Sequence, residues 1–239
     1  MRKGLVVGSS LLVMLLVALT ATVGLGLLAW GVGLACGAIT AVALTRAGPP
    51  ELGPADLVTL GRAGLTCALA ALVADAFVHA PEVAVLTAVA VVALVSDAVD
   101  GRVARRTGPS SFGAQFDGEV DAFLILVLSV YVAEAGRGWV LAIGLARYAF
   151  AAAGWVLPWM RRQLPPRFWR KVVTAVQGIA LTVAAADVAP SWLTTAGLLV
   201  ALALLAESFG RDVLWLWRRR SPEGDRFARQ PGRARVPRP

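Results

Sequence analysis

The stretch 96-SDAVDGRVARRTGPSSFGAQFDGEVD-121 places four aspartates between two long apolar segments of the chain. They are Asp97, Asp100, Asp117 and Asp121. An unpaired carboxylate costs several kcal/mol in a hydrocarbon environment. Because this cost is large, four acids in such a setting are expected to have a charged partner or a function.

The composition is that of an integral membrane protein. Hydrophobic residues make up 58% of the 239 positions and charged residues only 16%. Several apolar runs reach or exceed the roughly 20 residues that an α-helix needs to cross a bilayer. The sequence therefore predicts an all-α, multi-pass membrane protein.

The apolar runs also predict how many helices there are. They fall at about 5–45, 57–78, 83–101, 120–133, 138–160, 172–189 and 192–217. As one helix, the first run would be about 60 Å long, twice the hydrocarbon core, so it is expected to form a hairpin that turns near Gly24–Gly33. The fourth run, 120–133, is too short to cross a bilayer by itself. It becomes long enough for a membrane span when it is counted from Phe112. We thus expect an N-terminal transmembrane hairpin (1–48) followed by a six-helix transmembrane bundle (54–217).

A secretory signal peptide is the alternative for the N-terminus. Met1-Arg2-Lys3 followed by an apolar run is how such a peptide begins. The apolar run, however, continues well past 15 residues, and no clear small-x-small cleavage site follows it. These features favour a membrane hairpin.

Lys and Arg set the expected orientation. Alternating crossings put the N-terminus, the loops 46–62, 102–112 and 161–171, and the C-terminal tail on one side. This side carries most of the basic residues, so the positive-inside rule makes it the cytoplasm of a cell-membrane protein. The aspartate-rich stretch then lies at the cytoplasmic face.

The C-terminal tail 218–239 is strongly basic. It carries eight Arg, two acids and four Pro. Such a composition predicts a disordered segment, and a basic tail held beside a membrane is expected to bind anionic lipid headgroups rather than nucleic acid.

The spacing of the four aspartates predicts a metal site. Asp97 and Asp100 are three residues apart, and Asp117 and Asp121 four apart, so each pair shares one face of its helix. The two helices are consecutive and antiparallel, joined by the polar loop 106–111, so all four carboxylates are expected to converge. Carboxylates this close stay ionised only with cations among them, and Mg²⁺ or Mn²⁺ fits such oxygen ligands.

Acids near helix ends can also be merely solvated. Small residues interleaved with these aspartates argue against that alternative: Gly101, Ala104 and Gly113. Small residues on helices let another helix or a flat ligand such as a nucleotide approach the backbone closely.

Eight positions of the stretch resemble the signature of the CDP-alcohol phosphotransferase family. They read Asp97-x2-Asp100-Gly101-x2-Ala104-Arg105-x7-Gly113-x3-Asp117-x3-Asp121. Most members have eight residues between the Arg and the second Gly, and the shorter spacing here falls in the interhelical loop. Two weaker similarities lie outside the signature: Thr59-Leu60-x-Arg62, and Lys171-x-x-Thr174-x-x-Gln177, the latter similar to part of a phosphatidylglycerophosphate synthase pattern.

The resemblance implies an activity and roles for these residues. Members transfer a phosphatidyl group, usually from CDP-diacylglycerol, to an alcohol and release CMP. The four aspartates would hold two Mg²⁺ or Mn²⁺ ions, with Asp121 as general base. Carried over in the same way, the nucleotide site would contain Asp97, Gly101, Ala104, Arg105 and Gly113. Members are commonly homodimers, which we expect here too.

The acceptor alcohol is open. Glycerol 3-phosphate or inositol phosphate would need cations near Asp121, and Arg147, Lys171 and Arg211 are the candidates. Each has an alternative: Arg147 can pair within the bundle, and the other two can contact lipid headgroups.

Two other classes of membrane protein use acidic clusters. A prenyltransferase would need a second aspartate-rich motif on another helix pair, and no such motif is visible. An ion-coupled transporter usually carries its acids near the bilayer midplane rather than at one interface. Both fit the sequence less well than phosphatidyl transfer does.

Overall fold

The structure is a computed structural model that describes residues 2–47, 53–107, 111–162, 164–165 and 167–219. Among these residues it describes only the backbone of Arg2, Lys3, Pro54, Ala55, 100–107 and Ser111. Most of the Arg-rich tail, for which disorder was predicted, lies outside the described residues.

The regular elements of the described residues are all helical. The α-helices are α1 (Arg2–Val23), α2 (Leu27–Ala47), α3 (Pro54–Ala76), α4 (Val83–Thr107), α5 (Ser111–Glu134), α6 (Leu141–Val156), α7 (Phe168–Ala186) and α8 (Ser191–Arg218). Short 3₁₀ turns at Gly138–Val140 and Pro158–Arg161 flank α6. The predicted all-α class is confirmed, with a helix pair followed by six further helices.

Apolar length makes several of these helices candidate membrane spans. Within the described residues, α1, α2, α3, α8 and the segment Gly138–Val156 are long and apolar enough to cross a bilayer. α4 contains a shorter apolar segment, Val83–Val99. The protein is thus a multi-pass membrane protein, while the number of crossings stays a prediction.

The predicted N-terminal hairpin is present. The chain turns at Gly24–Gly26, where Gly24 has a φ of 74°, a conformation that favours glycine. Across the turn, the indole nitrogen of Trp30 donates a 2.9 Å hydrogen bond to the hydroxyl of Thr20. This bond ties α2 to the end of α1.

Helix α3 lies at the centre of the bundle. It packs against α1, α2, α4 and α5. In the most apolar 18-residue segment of α3, 78% of the residues are buried. In the corresponding segments of α1 and α2 the buried share is 17% each. The hairpin thus covers α3 on one side, and the helices of the aspartate stretch cover it on the other.

A polar contact joins the hairpin to the far end of α3. The backbone N–H of Gly26 donates a 2.9 Å hydrogen bond to Asp75, which also lies 3.1 Å from the ring nitrogen Nδ1 of His79. Gly26 directly precedes α2, so the carboxylate satisfies one of the free N–H groups at that helix start.

Helices α5 and α6 approach each other closely at Gly144. A Cβ atom added there would lie 2.8 Å from the backbone Cα of Leu126 and 2.9 Å from the side chain of Ser129. At Gly197 on α8 an added Cβ would meet nothing within 4 Å. Only glycine therefore allows the present α5–α6 distance.

Gly144→Ala should separate α5 from α6 and destabilise the protein by about 1–3 kcal/mol, the usual cost of overpacking. The measurement is thermal unfolding in detergent. Gly197→Ala is the matched control and should leave the melting temperature unchanged or raise it, since alanine is the better helix former. Equal melting temperatures for the two variants would contradict the close contact.

Candidate active site

Three carboxylates of the aspartate stretch meet between α4 and α5. Asp97 lies on α4, and Asp117 and Asp121 lie one turn apart on α5. One oxygen of each lies within 4.8 Å of the others, close enough to hold a metal ion together. The convergence expected from their spacing is therefore present for these three residues.

The fourth aspartate, Asp100, lies outside the described side chains. It follows Asp97 by three residues in α4, which continues to Thr107, so the two residues share a helix face. Gly101, Ala104 and Arg105 also lie in this backbone-only part of α4. Gly113 lies one turn before Asp117 in α5.

A buried arginine from α3 occupies the point where the three carboxylates converge. One terminal nitrogen of Arg62 lies 2.7 Å from Asp97 and 2.8 Å from Asp117, and the other contacts Asp121. The Arg62 side chain is 0% exposed, whereas the three carboxylates are 44%, 27% and 23% exposed in that chain order. The cluster is therefore sealed by Arg62 on the inside and open to solvent on the outside.

The start of α3 sets the register of Arg62. The backbone N–H of Gly53 donates a 2.8 Å hydrogen bond to Asp56, whose side chain is buried in the first turn of the helix. Nearly three turns later, the hydroxyl of Thr66 donates a 2.9 Å bond to the carbonyl of Arg62. Buried side chains on either side of Arg62, such as Leu60 and Ala63, fix the rotation of α3. The guanidinium is thereby held in place.

The charges of the cluster do not balance. Three carboxylates face one guanidinium, and Lys171 is a further cation close enough to interact with Asp121, so negative charges outnumber positive ones among these described side chains. Carboxylate oxygens are the ligands that Mg²⁺ and Mn²⁺ prefer, and a divalent ion supplies the missing charge. The residues present thus fit a divalent metal.

The three acceptor candidates have different surroundings. Lys171 is close enough to Asp121 to interact with it electrostatically. Arg147 instead pairs with Glu119, and Arg211 pairs with Glu207 one turn away on α8. Of the three, Lys171 has the clearest link to the aspartate cluster.

A second ion pair joins α7 to α8. Arg170 donates two hydrogen bonds, of 2.8 and 2.9 Å, to the buried Asp212. Next to it, the indole nitrogen of Trp169 donates a 2.9 Å bond to Glu207. This bidentate arginine–carboxylate ion pair positions the beginning of α7, which carries Lys171.

The role of Arg62 was not predicted from the sequence. In the sequence it belongs only to the Thr59-Leu60-x-Arg62 similarity, which assigns it no contact. A usable signal was present: Arg62 is a charged residue inside an apolar helix, and such residues usually face a partner inside the bundle.

The family assignment follows from comparison with known proteins. The sequence model of the CDP-alcohol phosphatidyltransferase family matches residues 53–206. The chain belongs to this family. The match covers the helices that carry Arg62, the aspartates and Lys171, and it excludes α1 and α2. No curated protein and no solved structure matches the chain.

Membership explains why these carboxylates lie together. The family consists of membrane transferases that act on CDP-alcohols, and divalent metals are typical of it. The chain is therefore a transferase at the level of the family, with a carboxylate cluster of the kind that its chemistry requires.

Proposed function

We propose that the protein makes a membrane phospholipid by transferring a phosphatidyl group from CDP-diacylglycerol to an alcohol, with release of CMP. The observation that carries the proposal is the convergence of Asp97, Asp117 and Asp121 within the part of the chain that matches the family. The same match favours this activity over a prenyltransferase or an ion-coupled transporter.

Four aspartates are proposed as metal ligands: Asp97, Asp100, Asp117 and Asp121. They would hold two Mg²⁺ or Mn²⁺ ions, which stabilise negative charge on the pyrophosphate oxygens of the donor. The outward exposure of the three described carboxylates supports this role, because a soluble nucleotide has to reach the cluster from water.

Asp121 is the proposed general base. It would accept the proton of the acceptor hydroxyl while that oxygen forms a bond to the phosphorus on the lipid side. The bond from that phosphorus to the bridging oxygen breaks, and CMP leaves with the electron pair. Asp121 is the least exposed of the three described carboxylates and is the one that Lys171 approaches.

The nucleotide is proposed to bind along the end of α4 and the start of α5. Small residues there leave room for it, and the proposed lining comprises Asp97, Gly101, Ala104, Arg105 and Gly113. Arg105 would contact donor phosphate.

The acceptor is proposed to be a phosphorylated alcohol, with glycerol 3-phosphate and inositol phosphate as candidates. Lys171 would bind its phosphate beside Asp121. Arg147 and Arg211 remain secondary candidates, since an acceptor would have to compete with Glu119 or Glu207 for them.

The distribution of basic residues supports an active site at the cytoplasmic face of the cell membrane. The lipid tails of the donor would stay in the bilayer while CMP leaves to the cytoplasm. We further propose a homodimer, a membrane domain at 54–217 preceded by the hairpin 1–48, and a tail 218–239 that contacts anionic lipids.

Purified protein should release CMP from CDP-diacylglycerol when Mg²⁺ or Mn²⁺ and the right alcohol are supplied. Acceptors to be screened are glycerol 3-phosphate, inositol phosphate, inositol, serine and a second phospholipid. EDTA should abolish CMP release, and added metal should restore it, because the aspartates need the cation to hold the donor. Turnover that persists in EDTA would rule out the metal-dependent mechanism.

Asp121→Asn should lower kcat by roughly 10²- to 10⁴-fold, the usual contribution of a general base, while donor binding is largely retained. Asp117→Asn, one turn earlier, is the matched variant and should weaken both donor binding and the rate. The measurements are CMP release and binding of CDP-diacylglycerol. An equal loss of donor affinity in both variants would show that Asp121 is mainly a ligand.

Lys171→Gln should raise the KM for a phosphorylated acceptor by roughly ten- to a hundredfold, since it removes a charge-assisted hydrogen bond. Arg161→Gln removes the same charge from a residue that donates a hydrogen bond to the backbone carbonyl of Gly154, and it should leave this KM nearly unchanged. The two KM values are compared in the CMP assay. An unphosphorylated acceptor emerging from the screen would remove the phosphate role of Lys171.

A further inference from the structure

Arg62 contacts the three carboxylates that are suited to hold a metal ion. The carboxylates suited to hold the ion are the same three that accept hydrogen bonds from its guanidinium. Arginine and metal would therefore share the same three carboxylates.

The two cations make different demands on these oxygens. Mg²⁺ requires oxygen ligands at about 2.0–2.1 Å in a near-octahedral arrangement. In the structure the oxygens of Asp97 and Asp117 lie 2.7 and 2.8 Å from a guanidinium nitrogen that separates them. A metal bound to the same oxygens would require the guanidinium to give way.

We propose that Arg62 is the resident counter-ion of the metal site and competes with the metal for its carboxylates. In the metal-free protein Arg62 holds Asp97, Asp117 and Asp121 together, and metal binding requires it to release at least one of them. Arg62 thereby sets the metal affinity of the site as a positioning residue. This inference rests on the proposed use of a metal, though not on the identity of donor or acceptor.

Burial and shape suit Arg62 to this role. Its side chain is the largest fully buried one among the described residues, so the cluster keeps a cation when no metal is bound. A guanidinium presents five donors in one plane and can contact three carboxylates at once, which the compact ammonium of lysine does less well.

The test compares Arg62→Gln and Arg62→Lys with the wild type in detergent, without substrate. Mn²⁺ affinity is measured by electron paramagnetic resonance, in which the signal of free Mn²⁺ falls on binding. Thermal unfolding is measured with EDTA and with saturating Mn²⁺.

Arg62→Gln should bind Mn²⁺ about tenfold or more tightly than the wild type, because the metal no longer breaks a charge-assisted hydrogen bond. Its melting temperature in EDTA should fall, since three carboxylates lose their cation, and Mn²⁺ should raise that temperature more than in the wild type. Arg62→Lys should lie between the two proteins. The substitution is thus expected to raise the affinity for Mn²⁺ and to lower the melting temperature of the metal-free protein.

Arg170→Gln is the matched control. It breaks another arginine–aspartate pair, that of Arg170 with the buried Asp212 on α8, which shares no residue with the aspartate cluster. It should lower the melting temperature without changing Mn²⁺ affinity, which separates general destabilisation from competition for the metal.

Unchanged or weaker Mn²⁺ binding by Arg62→Gln would overturn the proposal and make Arg62 a support that stays in place with the metal. If that variant does not fold, unchanged or weaker binding by Arg62→Lys has the same meaning. Absence of Mn²⁺ binding in all three proteins would remove the metal assignment and this inference with it. Tighter binding by the variants together with no CMP release by the wild type would refute the proposed function alone.

Discussion

The bundle depends on one interaction, the contact of a buried guanidinium with three carboxylates from two other helices. Arg62 comes from α3, Asp97 from α4, and Asp117 and Asp121 from α5. Removing one partner from a buried ion pair typically costs about 3–5 kcal/mol, because the remaining charge is stranded. The rotation of each helix is therefore coupled to that of the other two, and a shift in any one would leave a charge without its partner.

Helix α3 also connects the two ends of the molecule. Arg62 lies near its beginning, and Asp75 lies near its end, where it accepts a hydrogen bond from Gly26 of the hairpin. Thirteen residues of helix separate the two, a distance of about 20 Å. The hairpin, which lies outside the family match, is thus attached to the helix that positions the cluster, on the side of α3 that α4 and α5 leave uncovered.

Local rules were sufficient to predict much of this structure. Apolar length predicted the helices, and a spacing of three or four residues placed Asp97, Asp117 and Asp121 at one point. The apolar run ends near 101, yet α4 continues to Thr107, where it overlaps the start of the loop predicted at 106–111, because charged residues interrupt the apolar run while the helix itself continues. The partners of Arg62, Arg147 and Arg211 could not be predicted, since they depend on helix rotation and on which helices become neighbours.

The three carboxylates of the site differ in their exposure to solvent. Asp97 is 44% exposed and Asp121 only 23%, with the guanidinium of Arg62 fully buried beneath them. Water and soluble ligands therefore meet Asp97 first, while Asp121 is the most shielded and has Lys171 nearby. A general base is more effective where fewer water molecules compete with it for the proton of the acceptor hydroxyl. A metal ligand, in contrast, has to lie where the ion can reach it. The exposure thus decreases from Asp97 to Asp121, which agrees with the proposed roles of Asp97 as a metal ligand and Asp121 as the general base.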